Sequence, residues 1–561
     1  MTTTGNLRTG GQILVDALKL HGVDMAFCVP GESYLATLDA LHDAAESIRL
    51  VVCRQEGGVA NMAEAYGKLT GKPGIAFVTR GPGATHASVG IHTAHQDSTP
   101  LILFVGQVGR RMMERDAFQE IDFRRMFGQF TKWVAQIDDP ARIPEMVARA
   151  FHTAVSGRPG PVVLALPEDM QTERAAVEDG IRYRLVSPSP SAAEMDRVRG
   201  MLAAAERPLM MIGGGGWTAE AAADVTAFAA ASDLPTVAAF RRQDLMDNRL
   251  PVYAGDIGLG VNPALQQRFR DCDLLLVVGA QLGEVITGGY TLFDLPKPRQ
   301  TMIHVHPSLG ELGRVYQADM MVNAGMAPFA AAARALAPVK GRWASWRAGA
   351  RADYEKHLQP EGSPGAVDFA KIMVWLRDAL PEDAIIANGA GNYTVWVHRF
   401  WQYRKFGTQL APQSGSMGYG VPASIAAALL HPGRTVVSFA GDGCFMMNGQ
   451  ELATAVQYGA KILFVVVNNS TYGTIRMHQE REYPGRVSGT DLRNPDFAAL
   501  ARAYGAFGAT VTRTEDFAAA FAEARAAAGP ALIELKVDTD VITPKTTLTA
   551  IRNASLAAKK G

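Results

Sequence analysis

The chain has 561 residues, 55 of them basic and 55 acidic, with 48% hydrophobic and 20% charged residues. So balanced a charge excludes the basic field that nucleic acid or an anionic membrane surface selects, and no apolar run reaches the ~20 residues a membrane helix needs. The length is too great for one core and predicts about three domains of 150–200 residues. Four cysteines (Cys28, Cys53, Cys272, Cys444) share no metal-ligand or disulfide spacing, as expected of a reducing compartment. The first 25 residues are mixed and polar, without the apolar core of a signal peptide. A soluble cytoplasmic protein is expected.

In chain order, short apolar β-branched runs alternate with helical stretches, the pattern of doubly wound parallel α/β sheets. A first domain over residues 1–186 contains expected strands at 75–78, 101–105 and 162–166. After a joint at Ser187-Pro188-Ser189-Pro190, a central domain over 191–345 has expected strands at 209–212, ending in four glycines (Gly213 to Gly216), and at 274–278. A polar, Gly/Pro-bearing segment from Gln359 to Gly365 leads into a third domain over 366–545, and the residues from Thr549 are expected to form a mobile tail. The fold class is therefore α/β, with three doubly wound parallel-sheet domains.

The third domain holds the most informative stretch. Two apolar runs, Thr435 to Ala440 and Lys461 to Val467, read as neighbouring buried strands, with Gln450 to Tyr458 as the crossover helix. Asp442, between Gly441 and Gly443, and Asn469 lie 27 positions apart, so both fall at strand carboxyl ends, where open α/β sheets bind ligands. A carboxylate and an amide oxygen suit Mg²⁺, which takes hard oxygen ligands and often shares them with a diphosphate. The flanking glycines let the backbone come close to phosphate oxygens.

That spacing resembles the motif of thiamine-diphosphate-dependent enzymes. Arg54-Gln55-Glu56-Gly57-Gly58 resembles the glutamate segment of that superfamily, and Gly81-Pro82-Gly83-Ala84-Thr85 the turn that follows it. Ala117-Phe118-Gln119-Glu120 is similar to the acetolactate synthase group in particular, and Gly415-Ser416-Met417-Gly418-Tyr419-Gly420 to the segment that wedges the cofactor into its bent form. The motifs stand in family order over residues 10 to 545.

The resemblance implies a pyrimidine-binding, a central and a diphosphate-binding domain. It further implies a homodimer or homotetramer whose active sites lie where the first domain of one subunit meets the third of its partner. Thiamine diphosphate and Mg²⁺ are the implied cofactors. Glu56 takes the place of the glutamate that bonds the pyrimidine N1′ and promotes loss of the thiazolium C2 proton, Met417 that of the wedge, and Gly415 that of the carbonyl facing the 4′-amino group. A side chain at 415 is expected to block that approach. Asp442, Asn469 and the backbone carbonyl of Thr471 take the places of the metal ligands, with Gly441 and Gly443 beside the diphosphate. The implied activity is carboligation: decarboxylation of a pyruvate-like 2-oxo acid and joining of the remaining unit to a second carbonyl compound.

Phe118 and Gln119 favour ligation, and the His-His pair of simple pyruvate decarboxylases is missing. Gly31-Glu32-Ser33 departs from the Gly-Gly of typical synthases towards the decarboxylase pattern, making Glu32 a candidate proton donor or else a surface turn residue. His86 replaces the usual asparagine, His95 precedes Gln96-Asp97-Ser98, and His478 replaces a tryptophan of the acceptor pocket. All three are candidates for lining the site, since an unperturbed imidazole would change charge near neutrality. The arginines and aspartates of FAD-binding synthases are absent at Gly279 to Val285 and His304 to Pro307, which argues against FAD. Arg158 matches an arginine near FAD, but in a motif shared with enzymes that lack it. The alternatives are a non-oxidative 2-oxo-acid decarboxylase or other C–C lyase and, from another class, a cofactor-free binding homologue.

Overall fold

The computed structural model describes residues 6–339 and 342–559. They form two compact units, one up to Val186 together with Ile425–Leu430, the other comprising the rest. Three six-stranded sheets, all parallel, carry the fold. The first unit contains one sheet and the second unit two. Central strands such as Leu101–Gln107, Leu274–Val278 and Leu463–Asn468 are buried throughout. That accounts for their continuous apolar sequences, since helices cover both faces of such a sheet.

Numbered by chain order within each sheet, the first and third sheets share the strand order 2-1-3-4-6-5, whereas the central sheet has 3-2-1-4-5-6. The latter is the order of dinucleotide-binding domains, and in all three the order reverses beside the first strand, leaving a crevice at the strand carboxyl ends. In the first sheet that switch point lies between Met25–Cys28 and Gly74–Val78, so the following loops present Gly31-Glu32 and Thr79-Arg80-Gly81. In the third it lies between Ile385–Asn388 and Val436–Gly441, presenting Ala390-Gly391 and Asp442. The chemistry-bearing motifs therefore fall where the topology opens the sheet.

Two expectations need correction. The crossover after Val436–Gly441 is not one helix over 450–458: a helix Asp442–Asn448, a 3₁₀ turn Gly449–Glu451 and a helix Leu452–Gln457 follow one another. Glycine at 449 weakens helix continuity at that joint. The chain end is a helix, Leu548–Ala558, rather than a tail. Its Arg552 reaches the buried Glu480 with Nε to Oε2 at 2.8 Å and Nη2 to Oε1 at 2.5 Å, and Ser555 Oγ donates to the Arg481 carbonyl at 2.6 Å.

The Arg552 bonds hold the Glu480 carboxyl below the usual range. A depressed carboxyl contributes stability above its unfolded-state pKa, and that contribution disappears as pH falls through the folded value. Arg552→Ala leaves Glu480 buried short of its partner and is expected to cost about 1–3 kcal/mol. In thermal melts the deficit should be full near neutral pH and shrink in acid, where the wild type loses the same interaction.

Candidate active site

In the second unit, a cavity of about 250 Å³ opens at the switch point of the third sheet. Its walls include Gly415, Met417, Gly441, Asp442, Gly443, Asn469 and Thr471. These are seven of the eight residues assigned to the cofactor from sequence; Glu56 belongs to the first unit. Asp442 opens the helix that follows its strand and is 3% exposed. Burial raises its carboxyl above the usual range, so the carboxylate is short of positive charge, the condition a cation relieves. Among the described residues no three His, Cys, Asp or Glu side chains gather as a metal site. The donors present are one carboxylate, an amide and backbone carbonyls, a hard-oxygen set that fits Mg²⁺ completed by phosphate oxygens.

The loop after Leu463–Asn468 is held by short-range bonds. Asn469 Oδ1 accepts from the Thr471 N–H at 3.3 Å, Thr471 Oγ1 donates to the Thr490 carbonyl at 2.7 Å, and Ser470 takes a left-handed φ of 55°. Asn494 was not anticipated from sequence. Its Nδ2 donates to Asp442 Oδ2 at 2.7 Å and to Asn468 Oδ1 at 2.9 Å, tying the carboxylate to the neighbouring strand end. Asn468 in turn donates to the buried Glu534 at 2.6 Å.

Met417 is half-buried in the cavity wall. The next residue, Gly418, has φ 82°; its N–H meets Cys444 Sγ at 3.2 Å and its carbonyl accepts from Asn448 Nδ2 at 3.2 Å. Both partners lie on the helix that begins at Asp442, so Met417 and Asp442 are fixed by one element. A Cβ at Gly415 would meet no atom of the described residues within 4 Å, and its φ of 69° is itself a conformation that favours glycine. His478 is exposed on helix Gly473–Glu482, 3.4 Å from Arg481 Nη1, and is not in the cavity wall, to which that helix contributes Gly473, Thr474 and Ile475.

In the first unit, Glu56 is the first residue of helix Glu56–Thr70, where a carboxylate is favoured by the helix dipole. Its Oε2 lies 2.9 Å from His86 Nδ1. A Cβ at Gly83 would stand 3.4 Å from Glu56 Oε1 and 2.9 Å from Thr79 Cγ2, so glycine there leaves the carboxylate room. Gln119 has φ 65° and packs against Gly81, where a Cβ would lie 2.8 Å from Gln119 Cβ. Its Oε1 is buried and accepts no hydrogen bond among the described residues, an open valence for a ligand. Glu120 ties this loop by accepting from the N–H groups of Glu114 (2.6 Å) and Ala117 (3.0 Å), while Phe118 stands 73% exposed.

Glu32 projects from the turn after Met25–Cys28, 3.9 Å from Arg80 Nη2; Arg80 Nη1 donates to Glu168 Oε2 at 3.1 Å. His95 is not brought to Glu56. It sits nine residues beyond His86 on helix Pro82–Asp97, about 13 Å along the axis at 1.5 Å per residue, and Arg158 Nη2 holds its carbonyl at 2.6 Å.

The central crevice is lined by backbone in contact with backbone: a Cβ at Gly214 would lie 1.9 Å from the Gly279 carbonyl oxygen. Trp217 Nε1 donates to the Gly213 carbonyl at 2.8 Å, and His304 Nε2 engages the Ala280 carbonyl at 3.0 Å. These two side chains are used internally.

Three family descriptions match in order: "Thiamine pyrophosphate enzyme, N-terminal TPP binding domain" over residues 8–126, its central domain over 195–333 and its C-terminal TPP binding domain over 389–535. The chain is 31% identical over 535 residues to the acetolactate synthase isozyme 2 large subunit of Escherichia coli, covering 94% of this chain and 95% of that protein. It is 33% identical over 549 residues to the acetolactate synthase large subunit of Parasynechococcus marenigrum, covering 94% and 87%. The mitochondrial acetolactate synthase catalytic subunit of Saccharomyces cerevisiae is 28% identical over 562 residues, covering 95% and 81%. The chain thus belongs to the thiamine pyrophosphate enzymes, as a thiamine-diphosphate-dependent carboligase of the acetolactate synthase type.

Proposed function

We propose that the protein decarboxylates a pyruvate-like 2-oxo acid and joins the remaining acyl-derived unit to a second carbonyl compound, using thiamine diphosphate and Mg²⁺ and no FAD. The observation that carries this reading is the single cavity wall formed by Met417, Asp442, Asn469 and Thr471. The bound cofactor supplies the nucleophilic carbon and the electron sink that decarboxylation needs. The chain supplies the rest. Asp442, Asn469 and the Thr471 carbonyl hold the cation, with Gly441 and Gly443 close to the diphosphate; Asn494 orients Asp442; Met417 and the Gly415 carbonyl set the cofactor's shape. Glu56 shares a proton with the pyrimidine ring. Gln119, with its buried unpaired oxygen, positions the acceptor; Phe118 and Glu32 flank it, Glu32 as a proton donor. His95 and His478 are kept as further candidates for lining the substrate pocket.

We further propose a homodimer or homotetramer in which Glu56 of one subunit serves the cavity of another, in a reducing cytoplasm. All four cysteines are buried and none forms a disulfide, and among the described residues no helix is long and apolar enough to cross a membrane. The names of the bacterial relatives speak of a large subunit, so a smaller partner is an open extension of this assembly.

Product analysis tests the reading: the holoenzyme with Mg²⁺ and ¹³C-labelled pyruvate should yield acetolactate or acetoin by NMR. Acetaldehyde as the dominant product would establish the decarboxylase instead. Gln119→Ala should lower ligation about 10–200-fold, the range of a lost pocket contact, while CO₂ release falls less. Equal losses in both would remove Gln119 from acceptor positioning.

A further inference from the structure

We propose that His86 is a positioning residue for Glu56: its Nδ1–H occupies one carboxyl oxygen and thereby assigns the shared proton to the other. This rests on the reading of Glu56 given above.

The pairing follows from helix register. Glu56 and Ala60 lie one turn apart on helix Glu56–Thr70, as do His86 and Gly90 on helix Pro82–Asp97, so each pair shares a face. A Cβ at Gly90 would lie 2.4 Å from Ala60 Cβ and 2.7 Å from its carbonyl carbon, so the two helices touch where the side chain is missing. One turn towards the helix N-termini the same faces set His86 Nδ1 2.9 Å from Glu56 Oε2. The side chains are 56% and 13% exposed respectively, so the ring stands on the solvent side and the carboxyl on the inner side.

The two carboxyl oxygens are therefore inequivalent. Oε2 is taken by the imidazole, whereas Oε1 lies beside Gly83, 3.4 Å from where a Cβ would stand there. A neutral imidazole has one donor and one acceptor nitrogen, and which carries the proton is set by its partner. Against a carboxylate oxygen, Nδ1 must be the donor; free imidazole side chains prefer the opposite tautomer. When Glu56 takes up a proton, Oε2 is already accepting from Nδ1–H, so the proton resides on Oε1. Oε1 is thus the oxygen that would exchange the proton with a bound pyrimidine ring, and His86 would keep its own proton. His86 thus acts on the reaction only through Glu56.

The test has one readout without cofactor and one with it. In ¹⁵N-histidine NMR of the cofactor-free full-length protein, the His86 signal, identified by its loss in His86→Asn, should report the Nδ1–H tautomer and revert to Nε2–H in Glu56→Ala. In the holoenzyme, proton exchange at thiazolium C2 should fall about tenfold in His86→Ala, the worth of one well-placed hydrogen bond. His86→Asn, which keeps an N–H donor at the δ position, should recover much of it, and in a Glu56→Gln background His86→Ala should cause no further loss. An Nε2–H tautomer in the wild type, or an equal loss from His86→Ala in both backgrounds, overturns the proposal. Normal exchange in His86→Ala alongside depressed exchange in Glu56→Gln overturns it while leaving the Glu56 reading intact. Normal exchange in Glu56→Gln overturns both.

Discussion

Glu56→Gln is expected to leave the protein folded and thiamine diphosphate bound at near-normal affinity while slowing proton exchange at thiazolium C2 by about 10²–10⁴-fold, the usual worth of a positioned acid–base group. Gln has the same shape and keeps an oxygen for the 2.9 Å contact with His86 Nδ1, but it has no proton to share with a ring nitrogen. The loss of a negative charge at a helix N-terminus costs only about 0.3–1 kcal/mol, so thermal melts should move little. Exchange followed by deuterium incorporation and NMR separates the two effects. A variant that exchanges at the wild-type rate removes Glu56 from activation; one that no longer binds the cofactor assigns Glu56 to affinity instead.

The second large effect is expected at Asp442, and it should appear in binding rather than in proton exchange. Asp442→Ala deletes the only carboxylate among the residues proposed to hold the cation. Disturbing a residue that merely orients a metal ligand typically weakens metal binding 10–100-fold, so deleting the ligand itself should weaken Mg-thiamine diphosphate binding by about 100-fold or more. Asn494→Ala is the graded control: its Nδ2 holds Asp442 Oδ2 at 2.7 Å, and its loss should fall within that lower range. Calorimetric titration of thiamine diphosphate at saturating Mg²⁺ measures both. Retained tight binding in Asp442→Ala places the diphosphate anchor elsewhere.

Much of this was legible in the sequence because glycines and β-branched runs report directly on backbone geometry. The run Leu274–Val278 emerged with the bounds read for it, as a strand buried on both faces must be apolar throughout. The three doubly wound parallel sheets were foreseen on that basis, and the thiamine-diphosphate family was read from ordered motifs. Side-chain partnerships were less accessible. Asn494 lies 52 positions beyond Asp442, and an asparagine in a polar loop carries no signature of what it will face. The His86–Glu56 pair depends on the packing of two helices through Gly90, which appears in sequence only as one more glycine. His95 and His478 show the converse. Each stands near a motif in sequence, yet His95 lies about 13 Å along its helix from His86 and His478 stands exposed beside Arg481, placements that motif proximity does not convey. The terminal helix was missed although Thr547 caps it locally; its docking through Arg552 to Glu480, 72 positions away, is a tertiary contact that no local pattern announces.

The central claim is that Glu56 and the Asp442 cavity are two halves of one catalytic centre supplied by different subunits, and mixing the two variants tests it most directly. Glu56→Gln and Asp442→Ala chains, each inactive alone, would be co-expressed and their activity compared with the parents. In the proposed dimer every mixed pair regains one intact centre, so random association should restore about a quarter of wild-type activity. A mixture no more active than its two parents would contradict the shared centre.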